Sequence, residues 1–481
     1  MQRVEWKIAA TGALGAVALG AAAAAVPFHA LIFVSIVVAL PAAAWLLGSI
    51  ERSVVLLIAV VALMPRFASP VSIGFKPTFL DAAVIGLLVT WLLTRRRPTG
   101  RTDERLHARI DAPVIALMVV AVASFVVGIP NGALTTLVIR RFGEMLLSLL
   151  LVLALMRALR EDARRQEMFV RAALLLGGAS ALVGIVLYVL PDETTIRLLS
   201  VLSVFDYPSG PEVIHYIRQD PELAQRATGL WIDPNAYGGY LLMTAALCLP
   251  QLISPRPVMR RWLVWICVGM MALALVATVS RGAMLGLLLA GLAVSTLRYR
   301  KLLGLGILAV GLVLVLPQTR DLVAHFVDGF LGNDLATQMR FGEYKDALRL
   351  IERYPVLGVG FSGSPDVDLY VGVSSMYLLI LQQIGVVGLA AFAALIVALA
   401  AGAWRAWPLV RLDERKATIF LGAHAAVLGA LFAGIFDHYF FNIDFHNSVT
   451  WLCALLALAA ATQSRRGRRA HAGSVDIVSV R

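Results

Sequence analysis

Charge is scarce in this chain. Only 15% of its 481 residues are charged, against 59% hydrophobic, and a water-soluble fold could not hide so much apolar surface. Cysteine is scarcer still. Cys248, Cys267 and Cys453 stand within apolar stretches, at separations that suit neither a disulfide framework nor a metal site, and read as packing residues. Ionisable residues are nearly absent from the middle of the apolar stretches. That counts against an ion-coupled transporter, which commonly keeps such residues at mid-membrane for its coupling ion or substrate.

What is present is a succession of apolar runs, each of roughly 15 to 25 residues and long enough to cross a hydrocarbon core of about 30 Å. They lie near 8–26, 29–48, 53–64, 79–94, 111–129, 142–159, 170–190, 236–254, 262–279, 282–297, 302–316, 375–403, 416–436 and 447–463. The sequence therefore predicts an all-α polytopic membrane protein of about 12–14 transmembrane helices. The run at 53–64 is short, and the one at 375–403 is long enough to break at Gly385 or Gly388. The first run follows Arg3 and Lys7 and ends in small residues, so a cleaved signal peptide is its alternative reading. The expected organisation is N-terminal helices over 1–190, a first long loop at 191–235 and central helices over 236–316. A large loop at 317–374, C-terminal helices over 375–463 and a basic tail at 464–481 follow.

The net charge of +12 is unevenly distributed. Clusters at Arg95 to Arg109, Arg157 to Arg171, Arg256 to Arg261, Arg298 to Lys301, Arg405 to Lys416 and Arg465 to Arg469 all fall in loops of one parity. By the positive-inside rule those loops, with both termini, are cytoplasmic. The basicity is thus a topological signal and does not point to nucleic acid. The two long loops face outward, where long loops on a helical scaffold carry function. The second contains MRFGEYKDALRLIERYP, whose apolar positions Met339, Tyr344, Leu348 and Ile351 predict a surface helix of about four turns ending at Pro355, followed by the turn GVGFSG.

Four outward placements carry chemistry. Arg226 precedes the run at 236–254, Arg281 occupies the tight Ser280-Arg281-Gly282 turn, Arg340 opens the loop helix, and FDHYFFNIDFHN supplies Asp437, His438, Asp444 and His446. A single such arginine also fits an interfacial anchor, but a guanidinium at a tight hairpin is costly unless it reaches a headgroup, a carboxylate or a phosphate. Several converging guanidinium groups would suit a diphosphate, whose oxygens accept fork-like paired hydrogen bonds. Asp233 reads equally as a base and as the N-cap of the helix after Pro234. Glu343 and Asp346 are other candidate bases. His446 precedes the last run and is less favoured as a base. Tyr207, Tyr216, Trp231, Tyr370, Tyr439 and Phe440 could stack on sugars or form an aromatic belt.

RATGLWIDPNAYGGYLL, TVSRGAMLGLLLAGL and YKDALRLIERYPVLGVGFSG followed by MYLLILQQIGVVGLAAF resemble the successive signatures of the O-antigen ligase and polymerase superfamily of bacterial envelope glycosyltransferases, over roughly residues 220 to 405. The resemblance implies a metal-independent, cofactor-free enzyme of the inner membrane with an extracytoplasmic active site. Its donor would be a glycan on undecaprenyl diphosphate, transferred with inversion to a hydroxyl of another glycan, of lipid A core or of a protein. It also implies that Arg226 and Arg281 engage the diphosphate; Arg340 is expected to help them or to hold the loop. Ligases of the family usually carry a His-Asn pair before the run corresponding to 375–403, where this chain has Ser374 and Ser375. Serine is no base near neutral pH, so a polymerase of repeat units is favoured over a ligase, with His438, oriented by Asp437, as the replacement base. The alternatives of other classes are a flippase for the same lipid-linked sugar and a non-catalytic assembly subunit. No segment reads as a docking module for a chain-length regulator, which stays an open partner.

Overall fold

The computed structural model describes residues 45, 48–70, 75–94, 101–221, 223–315, 320–332, 335–366, 368, 369 and 372–463. The runs expected at 8–26 and 29–48, apart from Trp45 and Gly48, and the basic tail lie outside them. Fifteen α-helices occur among the described residues: α1 Ile50–Leu63, α2 Phe79–Thr94, α3 Arg101–Gly128, α4 Thr136–Glu161, α5 Ala163–Val189, α6 Asp192–Ser200, α7 Pro234–Ile253, α8 Arg261–Ala277, α9 Arg281–Leu297, α10 Lys301–Val315, α11 Arg320–Leu331, α12 Leu335–Arg353, α13 Met376–Val410, α14 Glu414–Ala433 and α15 His446–Thr462. A two-residue hairpin pairs β1 His215–Tyr216 with β2 Gln225–Arg226. The protein is an all-α polytopic membrane protein. Seven helices are long and apolar enough to cross a membrane, and α2, α8, α9 and part of α10 are apolar but shorter. Each of the twelve runs expected within the described region coincides with a helix.

Helices α7 and α15 form the centre, with 89% of each apolar window buried, whereas α3 has 28% buried and turns its apolar side outward. Around them α15 packs on α4, α14 on α7 and α9, α8 on α5 and α7, and α3 on α13. The stretch AYGGYLL explains the close approach of α7 to its neighbours. A Cβ on Gly238 would meet Ser280 Cβ at 2.9 Å, and one on Gly239 would meet the Tyr439 ring at 2.3 Å. Missing side chains thus bring three chain segments to one point.

Helix α13 breaks at Gly385, where φ is 66° and ψ is −170°. The backbone groups released by the break find new partners in the turn after α12. Val359 N donates to Gln382 O at 2.9 Å, Gly360 N to Gln383 O at 3.0 Å, and Val386 N to Pro355 O at 2.8 Å. Ser124 Oγ also donates to Gln383 O at 2.6 Å. Buried polar groups need such partners, so the glycine-rich turn and the break form one unit.

The basic loops meet at one end of the bundle. Arg165 Nε lies 2.6 Å from Glu51 Oε1, Arg157 pairs with Asp111, Arg298 with Glu414, and Arg415 reaches Glu167 at 3.5 Å. The hairpin, the Arg281 turn and α12 gather at another place, around residues 436 and 437. Among the described residues, the ionisable groups within apolar helices include Asp81, in the first turn of α2. Glu144 lies in α4 and His424 in the middle of α14. His424 is a satisfied core residue, with Nδ1 2.8 Å from Phe420 O and Nε2 3.0 Å from Gln463 Nε2.

Candidate active site

Asp233 fixes the start of α7. Its Oδ1 accepts hydrogen bonds from Asn235 N and Ala236 N, both at 2.8 Å, and Pro234 supplies the first helical residue. The N-cap reading of Asp233 is therefore the observed one. Asn235, presented on the first turn, accepts from Arg226 Nη2 at 2.7 Å. Arg226 also donates from Nε to Thr278 O at 2.8 Å, while its neighbour Ala227 N donates to Ala277 O at 2.8 Å. The hairpin strand thus ties Arg226 to the turn that carries Arg281. Burial pushes the Arg226 guanidinium down to about 10, opposed by the nearby Asp233 and Asp437 carboxylates and reinforced by Arg281 and Arg340.

The turn between α8 and α9 holds Val279 at φ 54°, a left-handed conformation that a β-branched residue adopts only at a cost. Ile232, just before Asp233, is similarly held at φ 68°. Arg281 is the first residue of α9, and Ser280 makes no side-chain cap to the helix. Its guanidinium lies against α11, where a Cβ on Gly329 would fall 1.5 Å from Arg281 Nη1. Arg340, on α12, has Nη2 4.0 Å from Asp437 Oδ2.

Arg226, Arg281 and Arg340 line one cavity of about 270 Å³, together with Tyr216, Asn235 and Asp437. The N-termini of α7 and α9 also open onto it, through Asn235 and through Ser280 to Gly282. Three guanidinium groups and two helix N-termini make a positive enclosure suited to an anion with several oxygens.

Asp437 is buried. Burial pushes its carboxyl up from the ordinary carboxylate range, against the pull of His438 and Arg340. Its Oδ1 accepts from the backbone of His438 at 3.1 Å and stands 3.5 Å from His438 Nδ1, longer than a well-formed hydrogen bond. The His438 ring rests edge-on against Phe445, with centroids 5.6 Å apart. His438 is not among the cavity's lining residues; it stands behind Asp437. The Ser374-Ser375 pair adjoins this corner, since Met376 N donates to Asp437 O at 3.0 Å. Glu343 Oε2 accepts from Ser374 N at 2.9 Å, and Asp346 lies 3.6 Å from Arg349, so both acids have local structural partners.

Of the aromatic residues read as sugar platforms, Tyr216 lines the cavity. Tyr207, Trp231, Tyr439 and Phe440 are buried core side chains, Trp231 stacking on Tyr240 at 4.8 Å, and Tyr370 lies outside the described residues. Trp231, Tyr439 and Phe440 belong to the main core around α7, and Tyr207 to a separate cluster with Phe67, Leu199, Val213 and Ile214. Sequence reasoning missed Asn235, whose place in the Asp-Pro-Asn cap was the available signal. It also missed a cluster of Asp81, Glu144 and His446, brought together from three distant runs.

No curated protein matches this chain. Residues 266–393 match the family described as O-Antigen ligase, a stretch that holds the Arg281 turn, Arg340, the Ser374-Ser375 pair and the break in α13. That match, over about a quarter of the chain, makes this stretch similar to the O-antigen ligase family and agrees with the resemblance seen in the sequence.

Proposed function

We propose that this protein transfers a glycan from undecaprenyl diphosphate to an acceptor hydroxyl at the extracytoplasmic face of the bacterial inner membrane, joining repeat units of O-antigen or exopolysaccharide. The observation that carries this reading is the convergence of Arg226, Arg281 and Arg340, from three separate parts of the chain, on one cavity. In the reaction the acceptor oxygen bonds to the anomeric carbon from the side opposite the diphosphate, inverting it. The bond from that carbon to the diphosphate breaks, and its electron pair leaves with the lipid diphosphate. The acceptor proton passes to His438, whose Nδ1 faces Asp437 and whose Nε2 is the nitrogen left for the acceptor. Charge grows on the leaving group, so cations already in place stabilise the transition state more than the ground state.

The polymerase reading is preferred because serines occupy the position of the usual ligase histidine, while His438 reaches the same corner from the loop after α14. The glycan profile of a deletion strain tests it. Single repeats left on lipid A core support a polymerase; full-length chains stranded on undecaprenyl diphosphate support a ligase and contradict it. Restoration of the profile by the wild-type gene but not by Arg281→Lys, at equal protein level, connects the phenotype to the cavity.

A further inference from the structure

Three ionisable side chains that take no part in the arginine cavity meet inside the helix bundle. Asp81 is in the first turn of α2, Glu144 in α4, and His446 opens α15. Asp81 and Glu144 are 7% and 5% exposed, and the His446 side chain is 10% exposed. Each carboxylate commits one oxygen to its own surroundings. Asp81 Oδ2 accepts from Thr78 N at 2.8 Å, and Glu144 Oε1 stands 2.9 Å from Arg140 Nε. The other oxygen of each turns to the same imidazole nitrogen. Asp81 Oδ1 and Glu144 Oε2 both lie 3.6 Å from His446 Nδ1, and Asp81 Oδ1 is buried with no hydrogen-bond partner.

A separation of 3.6 Å is too long for a hydrogen bond. It is close to the spacing of about 3.4 Å between ligands that sit about 2.1 Å from a tetrahedral ion. The charges agree. Two buried carboxylates face one guanidinium, Arg140, while the neighbouring Arg141 is committed to Asp444 and Arg66 lies over the Phe445 ring at 5.6 Å. With both carboxyls ionised and His446 neutral, one negative charge is left to be balanced inside the bundle, and buried charge is retained only when paired or ligated. The capping role of Asp81 accounts for Oδ2 alone.

We propose that Asp81, Glu144 and His446 form a binding site for one divalent transition-metal cation, of the Zn2+ or Mn2+ class given one imidazole and two carboxylate ligands. The ion staples α2, α4 and α15. It also steadies the turn Ile443–Phe445, because His446 follows Phe445, the residue on which the His438 ring rests. None of the three ligands lines the arginine cavity, so the role of the ion is structural.

The test uses the full-length protein in detergent, stripped with chelator and dialysed against Zn2+ or Mn2+, with bound metal measured by mass spectrometry. The expected result is about one equivalent retained by wild type and by Arg281→Ala, binding at least tenfold weaker in Glu144→Gln and in Asp81→Asn, and a metal-dependent rise in Tm confined to wild type and Arg281→Ala. Cobalt(II) loading of wild type gives a readout independent of the variants: low-coordinate visible bands with nitrogen and oxygen ligation support the site, and a hexa-aqua spectrum overturns it. Wild type that retains no metal, or variants that retain as much as wild type, also overturns it and leaves a proton shared between the two carboxyls as the occupant. Because Arg281→Ala keeps the ion while losing transfer, failure of this proposal is distinguishable from failure of the diphosphate reading.

Discussion

At the level of single residues, charge and geometry contribute separately to the cavity. Arg281 lies close against Gly329, which has no side chain to obstruct it. Arg281→Ala should lower transfer by about 10²- to 10³-fold, the range for losing one donor to developing negative charge. Arg281→Lys should recover little, since an ammonium cannot reproduce the paired contact. Gly329→Ala should also reduce transfer at unchanged Tm, because its Cβ would force the guanidinium aside. Assays on purified protein with lipid-linked glycan decide each case. Asp437 makes the opposite kind of prediction. Its carboxyl is pushed up by burial, so the stability it lends is complete below its unfolded pKa and is lost as pH rises through the higher folded value. Asp437→Asn, which resembles the neutral acid, should equal or exceed wild type in Tm at neutral pH, with the difference closing on acidification, while transfer falls. A drop in Tm at neutral pH together with full activity would contradict both halves. Residue types at this scale were readable in part. The arginines announced themselves by standing at helix ends and in a tight turn, Arg281 with no carboxylate near it in sequence, and Asp233-Pro234 spelled out its cap. The left-handed backbone at Val279 and Ile232 was not readable, since both residues favour extended or helical conformations and only the tertiary packing holds them there.

At the scale of elements, apolar length and glycine placement made most helices legible, including the amphipathic helix that became α12 and the break in α13. The break itself is a firm prediction. A side chain at 385 would take a left-handed φ and place Cβ 2.2 Å from Val356 O. Gly385→Ala should therefore destabilise by more than the roughly 1–2 kcal/mol of left-handed strain alone, read as a lower Tm in detergent. An unchanged Tm would mean that the turn at 355–360 does not hold the broken helix as described. The hairpin was illegible for a simple reason. Two residues per strand leave no alternation to detect, and the pairing of His215 with Arg226 is imposed by the bonds from Ala227 to Ala277 and from Arg226 to Thr278. The Asp81, Glu144 and His446 cluster was likewise hidden, because its members belong to three runs whose only shared property in sequence is being apolar.

At the level of the whole molecule, charge asymmetry and cavity placement both support the proposed orientation. The basic loops join through Arg165 to Glu51, Arg298 to Glu414 and Arg415 to Glu167, whereas the cavity gathers the loop segments of opposite parity. Single cysteines introduced at Arg300 and at Gln219 should therefore react with impermeant reagents from opposite sides of the membrane, the second from the periplasm. Labelling of both from one side would overturn the topology. The enclosure was not legible, because nothing local in sequence states that three arginines spread over more than a hundred positions line one cavity.

Calorimetric binding of a short isoprenyl diphosphate to purified Arg226→Ala, Arg281→Ala and the double variant tests whether these arginines hold one diphosphate. The account predicts that each single change weakens Kd at least tenfold and that the double variant loses less than the sum of the two, because both groups serve the same ligand. Unaltered affinity in the single variants would contradict it.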